Sequence, residues 1–161
     1  MAAGKTTVAR LLAARFPRAV HVEGDAFRRC IVSGRQEMTP DPSPGALEQL
    51  RLRYRLAAAA ADAYFEAGFA VALEDVACGP LLREFERMVR SRPCHTVVLL
   101  PSSEVVAERE KARAEWGYTG GWTVADHYAE FAGTSPRAGI WLDTSDLTAE
   151  ETVDEILARS I

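Results

Sequence analysis

Four residues near the start of the chain, Gly4-Lys5-Thr6-Thr7, carry groups suited to holding phosphate. They match the second half of the pattern G-x-x-x-x-G-K-[ST], in which a strand feeds a glycine-rich loop and then a helix. Backbone N–H groups at such a helix start point at phosphate oxygens, and the helix dipole favours the anion. Gly4 fits the second glycine, and Lys5 the lysine that neutralises the β- and γ-phosphates. Thr6 fits the hydroxyl that coordinates Mg²⁺, and Thr7 is placed to hydrogen-bond the α-phosphate. Ala3, Gly4, Lys5, Thr6 and Thr7 are therefore the expected nucleotide contacts. Counting back, Met1 falls on the third motif position, so the first glycine and the strand before it are expected upstream of Met1. Four residues alone also fit a plain helix start, so the surroundings must decide.

Carboxylates follow at two places. Asp25 closes "AVHVEGD" and Glu74-Asp75 closes "FAVALED". An apolar strand ending in Asp has the shape of a carboxylate that holds Mg²⁺ directly or through water. That makes Asp75, with Thr6, the expected metal-side pair, although the sequence leaves open whether Asp25 or Asp75 is nearer the metal; a solvent-exposed strand end is the other reading. Arg28 and Arg29 lie within one helical turn of Asp25. Arg109 and Arg113 stand four apart on one face of a charged helix, where Glu104, Glu108, Glu110 and Glu115 could instead pair them at the surface. His21, His95 and His127 show no metal-ligand spacing. Cys30, Cys78 and Cys94 are odd in number and far apart, so neither a disulfide framework nor a zinc site is expected.

These groups need elements to position them. The period of apolar residues predicts a helix over 4–16, closed by Pro17. A short strand is expected over 19–25 and a helix over 26–33. The segment 33–45 holds three prolines and two glycines and reads as a loop. A long helix over 45–66 keeps Leu47, Leu50, Tyr54, Ala57, Ala58, Ala61 and Phe65 on a 3.6-residue period. Then come a strand over 69–75, a helix over 79–91 and a strand over 95–100. A helix over 102–116, a glycine-rich hinge over 117–123 and a helix over 124–132 follow. A strand over 139–143 and a helix over 148–160 end the chain, the last with a Thr148/Glu151 capping box. Unbroken apolar strands separated by helices predict an α/β domain with a parallel sheet covered on both faces.

Composition narrows the function classes. The 161 residues carry a net charge of −4, which argues against a broad nucleic-acid or anionic-membrane footprint. No apolar run approaches the ~20 residues of a spanning helix. Lys5, Arg10 and Arg15 interrupt the first apolar stretch, so no signal peptide is expected. A cytoplasmic protein with neither nucleic acid nor membrane as partner is the expectation.

The motifs "AAGKTT", "EGDAFRR", "EDVACGP", "EREKAR" and "LDTSDLTAEETVDEIL" together resemble the small P-loop kinases of the adenylate, gluconate and shikimate kinase type. Within them the chain is most similar to chloramphenicol-phosphotransferase-like proteins and AAA-family phosphotransferases of actinobacteria. The resemblance runs over essentially the whole chain. It implies one α/β domain over 1–161, a P-loop NTPase three-layer sandwich whose central first strand is missing here, with a lid over about 102–123. It implies that Asp25 orients an acceptor hydroxyl and takes its proton, although a helix N-cap role is also open to an Asp there. Arg28 is the arginine expected to reach the acceptor, and Asp75 to line the acceptor pocket as well. The resemblance further implies that Arg109 and Arg113 act with Lys5 on the transferring γ-phosphoryl group. Backbone groups near Thr144 and Ser145 are implied to contact the adenine.

The expected function is thus transfer of the γ-phosphate of ATP, with Mg²⁺, to a hydroxyl of a small molecule, an antibiotic being one acceptor. The alternative is a nucleotide-binding regulatory ATPase with no small-molecule acceptor. A polynucleotide end kinase is disfavoured by the net charge.

Overall fold

Helix starts are written locally, and the computed structural model, which describes residues 2–112 and 121–160, shows them forming where the chain signals them. Ser43 accepts a hydrogen bond from the Ala46 N–H at 3.0 Å, and Pro44 occupies the first turn of the longest helix. Thr148 and Glu151 form the capping box reciprocally: the Thr148 hydroxyl accepts from the Glu151 N–H, and the Glu151 carboxylate accepts from the Thr148 N–H.

The element order is α1 (Lys5–Ala13), β1 (Ala19–Glu23), α2 (Gly24–Arg29), α3 (Pro44–Glu66), β2 (Ala70–Glu74) and α4 (Pro80–Met88). It continues with β3 (Val97–Leu99), α5 (Ser103–Lys111), α6 (Val124–Thr134), β4 (Ile140–Leu142) and α7 (Ala149–Ser160). All expected elements are present, mostly a few residues shorter. Helix 26–33 stops at Arg29 and begins earlier, at Gly24. The end of the predicted helix 102–116, with Arg113, lies outside the described residues, as does most of the hinge that follows.

One expectation changes. The described strands form two separate parallel pairs, β1 with β2 and β3 with β4, rather than one sheet. No described strand hydrogen-bonds to both pairs. Helix α1 straddles them instead. It packs on β1 and β2, while Val8, Leu11 and Leu12 join Leu142, Val97, Leu99 and Ile140 of the other pair. Val153 and Ile156 of α7 close that cluster. A second cluster gathers Leu50 and Tyr54 of α3, Ala77, and Met38, Leu81, Phe85 and Met88 around them. The Tyr54 and Phe85 rings stack there with centroids 4.5 Å apart.

Asp62 anchors the far end of α3. Its carboxylate is 2% exposed and accepts from the backbone N–H groups of Arg90 and Ser91, the Ser91 hydroxyl and the Arg90 guanidinium. Burial raises the carboxyl, yet the bonds from Ser91 and Arg90 outweigh it and bring it from 3.8 to about 2. A group whose folded value is depressed stabilises the fold above its unfolded value, and that contribution fades as pH falls from about 4 to about 2. Asp62→Ala should cost roughly 2–4 kcal/mol at neutral pH by orphaning those donors. In urea melts at descending pH, the gap between variant and wild type should close over that acid window.

Candidate active site

The start of α1 has the electrostatics of an anion site. Gly4 caps it in the left-handed region, φ 86°, with no side-chain cap, and its carbonyl takes the Val8 N–H. The N–H groups of the first turn precede any intrahelical acceptor and are left to face a ligand. Space beside Gly4 is open, so its backbone angle, not crowding, sets the need for glycine. Ala3, Gly4, Lys5 and Thr6 are half-buried and Thr7 is exposed.

The ends of β1 and β2 lie beside this helix. The two strands pair with Glu23 opposite Glu74, so Gly24-Asp25 and Asp75 leave the sheet at one level. Carboxyl ends of parallel strands are where α/β folds place ligands. Gly24 lies against Asp75: a Cβ there would come 1.9 Å from Asp75 Oδ2.

Arg53 of α3 ties these carboxylates together. Its Nη2 donates to Asp75 Oδ1 at 2.5 Å and its Nη1 to Asp25 Oδ1 at 3.2 Å. Asp75 also accepts from the Val76 N–H, and its side chain is 1% exposed. Burial pushes the Asp75 carboxyl up to about 6, with Arg53, the Val76 N–H and Lys5 pulling the other way. The Thr6 hydroxyl bonded to Glu74 joins the α1 start to these strand ends. Asp25 is 45% exposed and its other oxygen accepts from Arg29 at 3.0 Å.

Several expectations shift in this geometry. Asp25 is not the N-cap of α2; Glu23 holds that position, without a side-chain cap bond. Arg29, not Arg28, touches Asp25, while Arg28 turns to Glu37 of the 33–43 loop at 2.5 Å. The Thr6 hydroxyl donates to Glu74 Oε1 at 2.9 Å rather than to Asp75. His21 Nε2 lies 3.8 Å from that Glu74 oxygen. Among the described residues there is no group of three His, Cys, Asp or Glu side chains able to cage a metal. Mg²⁺ needs no such cage, because it is usually held by one or two carboxylates with phosphate and water. The Thr6–Glu74 pair fits that donor set.

On the other strand pair, Arg109 of α5 donates to the Thr144 carbonyl at 3.1 Å. The Ser145 hydroxyl accepts from the Ser102 N–H and donates to Asp143. The structure therefore brings Arg109 to the 143–148 loop. The Thr144 hydroxyl is buried with no hydrogen-bond partner among the described residues. Burial pushes the His127 imidazole of α6 down to about 4.

A family profile for the AAA domain matches residues 1–122, from the α1 start through α5. The chain belongs to the AAA domain family. Solved structures share its fold. An unliganded sugar kinase of Janibacter sp. HTCC2649 superposes with TM-score 0.69 at 22% identity, covering 98% of this chain and 87% of that one. The tunicamycin resistance protein of Deinococcus radiodurans gives 0.63 at 20% identity, with 98% and 89% covered. At such identities the likeness is one of fold. No match was found among curated protein sequences.

In this AAA domain the residue that sequence reasoning passed over is Arg53. Leu50, Arg53, Tyr54 and Ala57 stand at the i, i+3, i+4, i+7 positions of one face of α3. A cation inside a buried apolar stripe was the available signal. Glu74 was set aside for its neighbour, since strand spacing does not say which of two adjacent carboxylates faces the helix.

Proposed function

We propose that the protein is an ATP-dependent small-molecule kinase, with Asp25 as the proton acceptor and the first turn of α1 as the phosphate grip. The observation that carries this reading is the Arg53-bridged pair Asp25 and Asp75, set at the strand ends beside Lys5 and Thr6. The names of the two structural relatives, a sugar kinase and a resistance protein, support a small-molecule acceptor. An antibiotic acceptor and a cytoplasmic location are finer parts of the same proposal; no helix among the described residues is long and apolar enough to cross a membrane.

Bound Mg·ATP supplies the transferable phosphoryl group and the metal charge. The N–H groups of residues 4–7 and Lys5 bind phosphate oxygens. Thr6 and Glu74 hold the metal ion, and Thr144 and Ser145 flank the base. Arg109 steadies that loop, and Arg113 acts on the γ-phosphoryl group. Arg28 lies on the acceptor side. The acceptor oxygen forms a bond to the γ-phosphorus as the bond to the bridging oxygen of ADP breaks. Asp25 takes the hydroxyl proton.

The test is ATP-dependent phosphoryl transfer across a panel of alcohols, read as phosphorylated product by mass spectrometry. Lys5→Met should weaken ATP binding at least tenfold, in line with removing a charge-assisted hydrogen bond of about 1.5–3 kcal/mol. An unchanged ATP affinity in a fluorescent-nucleotide titration would count against the phosphate grip.

A further inference from the structure

A pocket of about 160 Å³ lies between α2, the loop after it and the first half of α3. Its apolar lining comes from Phe27, Ile31, Met38, Leu50, Leu52 and Leu56. Arg53 also lines it, so the pocket adjoins the guanidinium that holds Asp25.

The polar side chains of this pocket are already engaged. Arg28 pairs with Glu37, and Arg53 pairs with Asp25 and Asp75. The Gln49 amide accepts from the Gln36 N–H and donates to the Gly34 carbonyl. The Gln36 amide oxygen accepts from the Ser43 hydroxyl. Arg53 Nε is buried with no hydrogen-bond partner among the described residues. A guest therefore meets mainly apolar side chains, no uncompensated cation and one buried N–H without a partner among the described residues.

We propose that this pocket takes the body of the phosphate acceptor, and that the acceptor is a neutral alcohol with an apolar part about the size of one ring. The proposal rests on the kinase reading above for the word acceptor, but the pocket chemistry stands apart from it. An apolar cavity of roughly 150 Å³ admits a benzene-sized guest. Each sugar hydroxyl buried here without a partner costs about tenfold or more in affinity. A phosphate or carboxylate would lose its hydration with no free cation to replace it. Leu52 and Leu56 are 39% and 42% exposed, so the apolar wall runs on to the surface, and the guest enters along it.

The experiment is calorimetric titration of the full chain with 2-phenylethanol, glucose and glucose 6-phosphate, beside the transfer assay with each. 2-Phenylethanol should bind, and the two sugars should bind at least tenfold more weakly. Leu56→Glu should weaken 2-phenylethanol binding about tenfold while ATP affinity holds. Leu52→Gln, also at a partly exposed position, repeats the measurement should Leu56→Glu fail to fold. Undetectable 2-phenylethanol binding, sugar binding of equal strength, or indifference to both substitutions would overturn the proposal. Binding in the expected order with no phosphoryl transfer to any alcohol supports the pocket and overturns the kinase reading alone. Preferential phosphorylation of the sugars overturns the pocket and supports the kinase.

Discussion

Arg53→Met is expected to cost about 3–5 kcal/mol of folding stability at pH 8, the range for stripping the partner from a buried charge. The guanidinium is 12% exposed and bonds a carboxylate that is 1% exposed. Methionine keeps most of the stem and is a good helix former, so α3 itself is not the casualty. What is lost is the counter-charge of Asp75. The Asp75 carboxyl already titrates at about 6 against an ordinary 3.8, because burial outweighs Arg53, the Val76 N–H and Lys5. A carboxyl raised on folding holds a proton that the unfolded chain releases. Its contribution is therefore present below the ordinary value and declines as pH rises through about 6. In the variant, protonation relieves the orphaned charge in acid, so the deficit should be smaller at pH 5 than at pH 8. Adding Asp75→Asn should recover much of the loss at pH 8, since both partners then lack charge. Urea denaturation of wild type, Arg53→Met, Asp75→Asn and the double variant at the two pH values reads all of this. A deficit under about 1 kcal/mol at pH 8, the size of a surface pair, would show that the bridge is not buried as drawn.

The same residue marks the limit of what the chain discloses on its own. Helix caps, the proline-rich loop and the apolar strands are local signals, and the structure places them within a few residues of expectation. The Thr148/Glu151 box is legible because both partners lie within one turn. Arg53 meets Asp25 and Asp75 across sequence separations of 28 and 22 residues, which no period records. The Thr6–Glu74 contact spans 68 residues and depends on how α1 lies over β2. Strand pairing is equally remote. Unbroken apolar runs showed that the strands are parallel, yet not that the described ones divide into two pairs. Arg109 was legible as a cation on a helix face, whereas its attachment to the Thr144 carbonyl is tertiary.

Asp25→Asn should lower phosphoryl transfer by about 10²-fold, the lower end of the usual range for removing a general base. The lower end is expected because phosphoryl transfer has a loose transition state, in which the hydroxyl proton departs late and little charge builds on the attacking oxygen. Asparagine preserves the shape, and its carbonyl oxygen still accepts from Arg53 or Arg29, so the acceptor side keeps its form. At 45% exposure the site tolerates the change without a large folding penalty. ATP affinity should stay within about twofold, because the contacts of Asp25 run to Arg29 and Arg53, while the phosphate grip is at Gly4 to Thr7. The measurement separates the two functions the sequence left open. A kinase loses transfer while ATP hydrolysis in the absence of acceptor persists. A regulatory ATPase has no acceptor proton to remove, so Asp25→Asn would leave hydrolysis and nucleotide affinity alike. Transfer within about threefold of wild type, with ATP binding intact, would remove Asp25 from the proton path and leave its Arg53 contact as a brace for α2 against α3.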